Sequence, residues 1–322
     1  MTDQTRIAMV AKPGQSPSLT LTSAPVRSGD DVLVRMRAAA LNFADLLKAK
    51  GQYQEKSPFP FVPGLEGSGE VIEAPATSGL TPGQRVAVLW PGTMAEVISV
   101  PPLACIPIPD GMSHEQAAGF QIVYGTSHLA LTDRARLQPQ EVLAVLGAAG
   151  GVGLTAVEIG HAMGARVIGI ARGAERLESV RRAGADHVID SAECPDLKAA
   201  LRDLGGVDVV YDPVGDAPGE AAFAALRPGG RFLLVGFAGG RPPALPLNHA
   251  LVKNIAIHGL YWGAYQRLDP DALRSGMGQL FGLFTQGRLN PVAGHTLPLE
   301  KLADGYDLLH QRRAVGKIIV TL

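Results

Sequence analysis

The segment "VLGAAGGVGLTAVEIGHAMGARVIGIAR", beginning at Val145, restricts the possible folds more than any other part of the chain. A short apolar strand ends at Leu146, glycines follow at 147, 150, 151 and 153, then a helical stretch and a second apolar strand. Glycine lets the backbone turn tightly at the end of the strand and lets a phosphate approach the amides. The helix that opens there offers unpaired N–H groups and the positive end of its dipole. A glycine-rich turn is also compatible with nothing more than a tight bend and close helix packing. The complete strand–turn–helix–strand context points to dinucleotide binding.

The end of the next strand selects among dinucleotides. A site for NAD has an Asp or Glu about 20 residues on, accepting from the ribose 2′-hydroxyl. Here the sequence is "GIARGAERLE", with Arg172 in place of the acid and Arg176 one helical turn further. Two guanidinium groups pair with a 2′-phosphate and gain less from a bare hydroxyl, so the expected cofactor is NADPH. The other reading of these arginines is a solvated helix start.

After about Tyr124 the apolar runs "EVLAVLG", "ARVIGIA", "VDVVYD" and "GRFLLVG" alternate with the helical stretches "TAVEIGHAM", "AERLESVRRAG" and "GEAAFAALRPG". This interleaving predicts a doubly wound parallel sheet with helices on both faces, an α/β fold. Ligands of such sheets bind at the carboxyl ends of the strands. Three further loops fall there: Asp212 to Gly215, Gly236 to Ala238, and Leu260 to Trp262. Each is otherwise an ordinary loop.

The first third of the chain reads as β-rich. In "DDVLVRMRA" Val32, Val34 and Met36 alternate with Leu33, Arg35 and Arg37, and "TPGQRVAVLW" feeds a short strand from a Pro-Gly turn. Dense prolines in "VPPLACIPIPDG" disfavour helix until Ser113, which with Gln116 forms a capping-box pattern. A helical segment begins again near Asp269, and "GKIIVTL" reads as a strand whose partners lie in the first domain. The second domain is therefore expected to be inserted in the first. A length of 322 residues suits about two domains. A net charge of −1 gives no reason to expect nucleic acid or an acidic membrane as partner. The opening "MTDQTRIAMV" lacks the apolar core of a secretory signal, and the longest uncharged run is too short to span a bilayer. Two isolated cysteines, Cys105 and Cys194, make neither a disulfide framework nor a cysteine zinc site, and a cytoplasmic location is expected.

Together with these features, "LNFADLLKAKGQY", "FVPGLEGSGEVIE", "DRARLQPQE", "GAAGGVG", "GADHVID", "YDPVG", "LLVGFAGG" and "AVGKIIVTL" resemble the medium-chain dehydrogenase/reductase superfamily, in its zinc-free, zeta-crystallin-like quinone oxidoreductase branch. The resemblance covers essentially the whole chain. It implies a GroES-like β-rich catalytic domain (1–123 and 265–322) and an inserted Rossmann-type domain (124–264), in a homodimer whose edge strands pair. Zinc-dependent relatives carry Gly-His-Glu where this chain has Gly64-Leu65-Glu66, and a cysteine ligand near the position of Asn42. A catalytic zinc needs about three protein ligands. Glu66 is instead expected to be a buried anchor paired with a backbone or basic group, and the chemistry to be metal-free.

The resemblance further implies a substrate site at Asn42, Asp45 and Tyr53, whose plainer readings are a turn cap, a helix-start charge and a packing aromatic. It places Ala149, Gly150, Gly151 and Val152 on the pyrophosphate of NADPH and Thr126 near the nicotinamide ribose. Val235, Gly236, Phe237 and Ala238, with Leu260, Tyr261 and Trp262, line the ring. Two positions depart from the pattern: Leu47, where bacterial relatives often have tyrosine, and Ser191, where an aromatic or histidine often packs on adenine. The implied activity is NADPH-dependent reduction of a quinone or an α,β-unsaturated carbonyl by hydride transfer. An enoyl-thioester reductase and a non-catalytic NADPH-binding protein are the alternatives.

Overall fold

The computed structural model describes residues 4–322, so Met1–Asp3 of the segment read for a leader lie outside the described residues. The chain divides into two compact units, Met1–Gln121 with Pro291–Leu322, and Ile122–Asn290.

The first unit opens with an antiparallel hairpin, β1 (Gln4–Met9) and β2 (Ser18–Ser23). Its centre is β3 (Val32–Leu41), where Val32, Val34 and Met36 are buried and Arg35 and Arg37 exposed, while Leu33, in step with the arginines, is buried as well. Alternation then stops at Ala38-Ala39-Ala40, all buried. Ala38 and Ala40 pack with Ala118 and Ile319 on one face, and Ala39 with Leu41 and Leu46 on the other. Three small side chains let this end of the strand be covered on both sides. The helix α1 (Phe43–Ala49) follows, then β4 (Glu66–Glu73), β5 (Arg85–Leu89), β6 (Val97–Val100) and β7 (Cys105–Pro107). In α2 (His114–Ala118) both capping-box bonds form: Gln116 N–H to Ser113 Oγ at 3.1 Å and Ser113 N–H to Gln116 Oε1 at 3.0 Å.

The second unit is entered along α3 (Gln121–Leu129). Strands and helices then alternate: β8 (Val142–Leu146), α4 (Gly151–Ala162), β9 (Arg166–Ala171), α5 (Ala174–Arg182), β10 (His187–Asp190), α6 (Leu197–Asp203), β11 (Val207–Asp212), α7 (Asp216–Ala224), β12 (Leu226–Leu234), α8 (Leu247–Lys253) and β13 (Ala256–Gly259). The six strands are parallel, in the order β10-β9-β8-β11-β12-β13. This is the 3-2-1-4-5-6 order of dinucleotide-binding sheets, with its reversal between β8 and β11. All of β8 is buried, as a central strand covered by helices on both faces must be.

After α9 (Tyr265–Leu268), Asp269 caps α10 (Pro270–Thr285) by accepting from Ala272 N–H at 3.0 Å. This helix packs on α3, where His128 Nε2 meets Gln279 Oε1 at 3.1 Å and Gly276 leaves room for the imidazole. The second unit therefore runs to Asn290, beyond the boundary at 264 expected from sequence. The chain returns to the first unit with β14 (Ala293–Pro298), α11 (Leu302–His310) and β15 (Lys317–Thr321). There β15 pairs antiparallel with β3 and parallel with β14, giving the order β14-β15-β3-β4-β5-β7 with β6 also on β3. Among the described residues no helix is long and apolar enough to cross a membrane.

Candidate active site

The strand register of the first unit explains Glu66. At the end of β3, Ala40 pairs with Glu66 on one side while Leu41 pairs with Ile318 on the other. Lys317 is thus brought beside a glutamate 251 residues away in sequence, and its Nζ lies 2.8 Å from Glu66 Oε1. Glu66 is 0 % exposed and Lys317 7 %. The ammonium also donates to Asn42 Oδ1 at 2.7 Å and to Leu41 O at 3.1 Å, and Asn42 Nδ2 donates to Glu66 Oε1 at 3.0 Å. Each buried charge thus has the partners that burial demands.

Asp45 completes the cluster. Its carboxylate accepts from Asn42 N–H at 2.8 Å and Gly64 N–H at 3.1 Å. Gly64 adopts φ +93, a conformation side chains disfavour, and a Cβ there would stand 2.4 Å from Thr93 Oγ1. Burial pushes the Asp45 carboxyl up to about 6, against the two N–H donors and the Lys317 charge. The Tyr306 phenol on α11, buried and without a hydrogen-bond partner among the described residues, is pushed up by burial and by Asp45. Asn42 and Asp45 therefore belong to one hydrogen-bonded cluster. Tyr53 lies on the loop after α1, half-buried, with Lys48 Nζ 5.4 Å from its ring centre. Lys317 and Tyr306 were missed. A lysine opening the otherwise apolar strand "KIIVTL" is the signal that could have found the first. Among the described residues no three His, Cys, Asp or Glu side chains gather in a way that holds a metal ion.

In the second unit the glycine turn lies at the carboxyl end of β8. Gly150 is the N-cap of α4, whose first amides have no acceptor within the helix. A Cβ on Gly153 would stand 2.2 Å from Gly147 O and 2.8 Å from Ala148 Cα, so only glycine keeps α4 this close to the turn. Ser127 Oγ fixes the helix start from beneath, bonding Val152 O at 3.0 Å, Thr155 Oγ1 at 2.8 Å and Tyr211 OH at 2.9 Å. Thr126 beside it donates to Ile122 O of its own helix. Ala149, Gly150, Gly151 and Val152 thus form a rigid, side-chain-poor rim that fits a diphosphate.

The neighbouring strand ends close around this rim. Asp212 Oδ1 accepts from Val214 and Gly215 N–H at 2.8 and 2.7 Å, and its buried Oδ2 has no hydrogen-bond partner among the described residues. The Asp212 carbonyl accepts from Val235 and Gly236 N–H, and Ala238 N–H bonds Pro213 O, so the loops after β11 and β12 are tied together. Phe237 remains 44 % exposed. Leu260 N–H bonds Leu234 O at 3.0 Å, Tyr261 is half-buried, and the Trp262 indole packs against Gly125. Arg172, after β9, is exposed and has no ion-pair or hydrogen-bond partner among the described residues. Arg176 lies in the first turn of α5 and Ser191 just beyond β10. The Asp190 carboxylate braces both turns by accepting from Gly173 N–H and from Ala192 N–H at 2.9 Å.

A β-rich unit interrupted by a parallel sheet of this strand order is the architecture of medium-chain dehydrogenases and reductases. Two family models match: the alcohol dehydrogenase GroES-like domain over 28–110 and the zinc-binding dehydrogenase over 151–275. The chain is 37 % identical to a quinone oxidoreductase-like protein 2 homolog of Nematostella vectensis, over 90 % of this chain and 81 % of that one. Quinone oxidoreductase from Thermus thermophilus, also solved in complex with NADPH, superposes with a TM-score of 0.88 at 30 % identity, covering 98 % of this chain and 100 % of that one. The NADPH complex of Escherichia coli quinone oxidoreductase gives 0.88 at 26 % identity, over 99 % and 100 %. The chain belongs to the quinone oxidoreductase-like, zinc-free branch of the medium-chain dehydrogenase/reductase superfamily.

Proposed function

We propose that the protein uses NADPH to reduce quinones or other α,β-unsaturated carbonyl acceptors by direct hydride transfer, without a metal. The observation that carries this reading is the partnership of Glu66 with Lys317 and Asn42, which engages the one carboxylate at the position of a zinc ligand and surrounds it with hydrogen-bond donors. A simple alcohol or ketone passes through a localised alkoxide, which a metal stabilises well. A quinone or enone spreads the charge as a hydroquinone anion or enolate, and a few fixed donors are enough.

When bound, NADPH supplies the hydride. The amides of Ala149 to Val152 hold its pyrophosphate, Arg172 and Arg176 its 2′-phosphate, and Ser191 flanks the adenosine. Thr126 meets the nicotinamide ribose, while Val235 to Ala238 and Leu260 to Trp262 line the ring. Asn42 donates to the acceptor's carbonyl oxygen, and Asp45 holds the backbone of Asn42 in place. Tyr53 supplies a proton where the product anion is basic enough to need one.

The test is NADPH oxidation with 1,4-benzoquinone, a simple enal and a crotonyl thioester. The quinone and enal are expected to turn over faster. A preference for the thioester identifies an enoyl-thioester reductase, and no turnover with any of them a non-catalytic binding protein. Because water protonates a hydroquinone anion after release, Tyr53→Phe is expected to lower kcat with quinones by less than about tenfold, and further with enones. A loss near 10³ with both would establish an obligatory tyrosine acid.

A homodimer is supported by β13, the edge of its sheet, with Ala256 and Gly259 exposed. Beside it α8 exposes Leu247, Leu251 and Val252 at 67, 80 and 79 %. An uncovered apolar edge invites pairing, and we assign it to a second copy of the chain. Light scattering at micromolar concentration is expected to return a dimer, and a monomer would contradict the assignment.

A further inference from the structure

We propose that Lys317 is a positioning residue for Asn42: it fixes the orientation of the Asn42 amide and offsets the Glu66 charge, so that the amide can stabilise the negative oxygen of the acceptor. The inference rests on Asn42 being the donor named above.

An ammonium has three hydrogens and no acceptor. The Asn42 atom 2.7 Å from Nζ must therefore be Oδ1, and the amide nitrogen then faces Glu66 Oε1 at 3.0 Å. Flipping the amide would set NH2 against ammonium and oxygen against carboxylate, two repulsive contacts, so one orientation is enforced. The three ammonium hydrogens are taken by Leu41 O, Asn42 Oδ1 and Glu66 Oε1. None is left for a substrate, so Lys317 acts through Asn42. Asn42 Nδ2 has two hydrogens, one of them on Glu66, and the other has no partner among the described residues.

Charge completes the argument. In an enone the β-carbon takes the hydride and forms a C–H bond. The alkene pair shifts to join the α-carbon to the carbonyl carbon, and the carbonyl pair moves onto oxygen. NADP+ is left, and a proton reaches the α-carbon afterwards. The oxygen becomes negative one hydrogen bond from Asn42 and two from the Glu66 carboxylate. Alone, that buried carboxylate would oppose the change. The Lys317 ammonium offsets it and, by pulling on Oδ1, polarises the amide so that Nδ2–H donates more strongly. A quinone, whose product anion is less basic, draws less on this arrangement.

The experiment compares Lys317→Met/Glu66→Gln, which leaves no buried charge unpaired, with Lys317→Arg, Asn42→Leu and Asn42→Leu combined with the first pair. It reads kcat and KM with an enone and a quinone. It also reads the absorbance of 4-nitrophenol, an enolate mimic, bound to the NADP+ complex. The first variant is expected to lower kcat with the enone about tenfold to a hundredfold, with a smaller loss for the quinone and KM and NADP+ affinity nearly unchanged. Bound nitrophenol should be less ionised, Lys317→Arg should recover part of the rate, and in the Asn42→Leu background the pair should add no further loss. Equal losses for both acceptors with unchanged nitrophenol ionisation, or additive losses with Asn42→Leu, overturn the role of Lys317. A rate loss in Asn42→Leu alone, with none in the Lys317 variant, overturns Lys317 and leaves the donor assignment standing. Full enone turnover by Asn42→Leu overturns both.

Discussion

Lys317→Ala is expected to destabilise the fold by about 3–5 kcal/mol, because it strands the Glu66 carboxylate in a site with no exposure to water. The loss goes beyond one ion pair, since Asn42 Oδ1 and Leu41 O lose their donor with the same substitution. Removing both charges is a different experiment: a buried pair replaced by apolar residues of similar volume is often neutral or stabilising. Lys317→Leu/Glu66→Leu is therefore expected to recover part of the stability, because the Asn42 amide and Leu41 O still lack their partners, while failing in catalysis. Thermal unfolding followed by circular dichroism checks both. An unchanged melting temperature in Lys317→Ala, or a double variant no better than the single one, would show that this cluster does not anchor β3, β4 and β15.

Arg172→Ala and Arg176→Ala are each expected to weaken NADPH binding about tenfold to a hundredfold, since a hydrogen bond to a charged group contributes about 1.5–3 kcal/mol. NADH binding should hardly change. Arg172 is the cleaner probe because it has no ion-pair or hydrogen-bond partner among the described residues, so its loss removes no native bond. Titration of each variant with both cofactors, followed by tryptophan fluorescence or calorimetry, separates phosphate recognition from loop support. Equal losses for NADPH and NADH would show that the arginines hold the turn after β9 and do not read the 2′-phosphate.

Legibility in the sequence followed distance along the chain. The turn from Gly147 to Gly153, the Ser113–Gln116 capping box and the Asp269 cap are local, and neighbouring residues state them. The positions of Arg172 just after β9 and Arg176 in the first turn of α5 are legible because the 20-residue offset from the glycine turn is set by one helix and one strand. Glu66 was legible only as a carboxylate in need of a partner. That the partner is Lys317 depends on β15 pairing with β3, a contact between the two ends of the chain. The helix α10 shows the converse limit. Its amphipathic pattern says that one face is covered, and only the contact of His128 with Gln279 shows which unit covers it. The alternation of β3 likewise fails at Ala38–Ala40, where cover on both faces replaces period two, and the Ser127–Thr155–Tyr211 network carries no spacing signal.

Hydride transfer to an activated acceptor without a metal can be followed with an isotope label on metal-depleted protein. Protein dialysed exhaustively against a chelator, with its zinc content measured, is given an enone and NADPH carrying deuterium at the transferable C4 position. Turnover is expected to be undiminished with no stoichiometric zinc, with one deuterium at the β-carbon of the product and the α-hydrogen coming from solvent. Activity lost on chelation and restored by zinc, or a β-carbon carrying solvent hydrogen, would contradict metal-free hydride transfer.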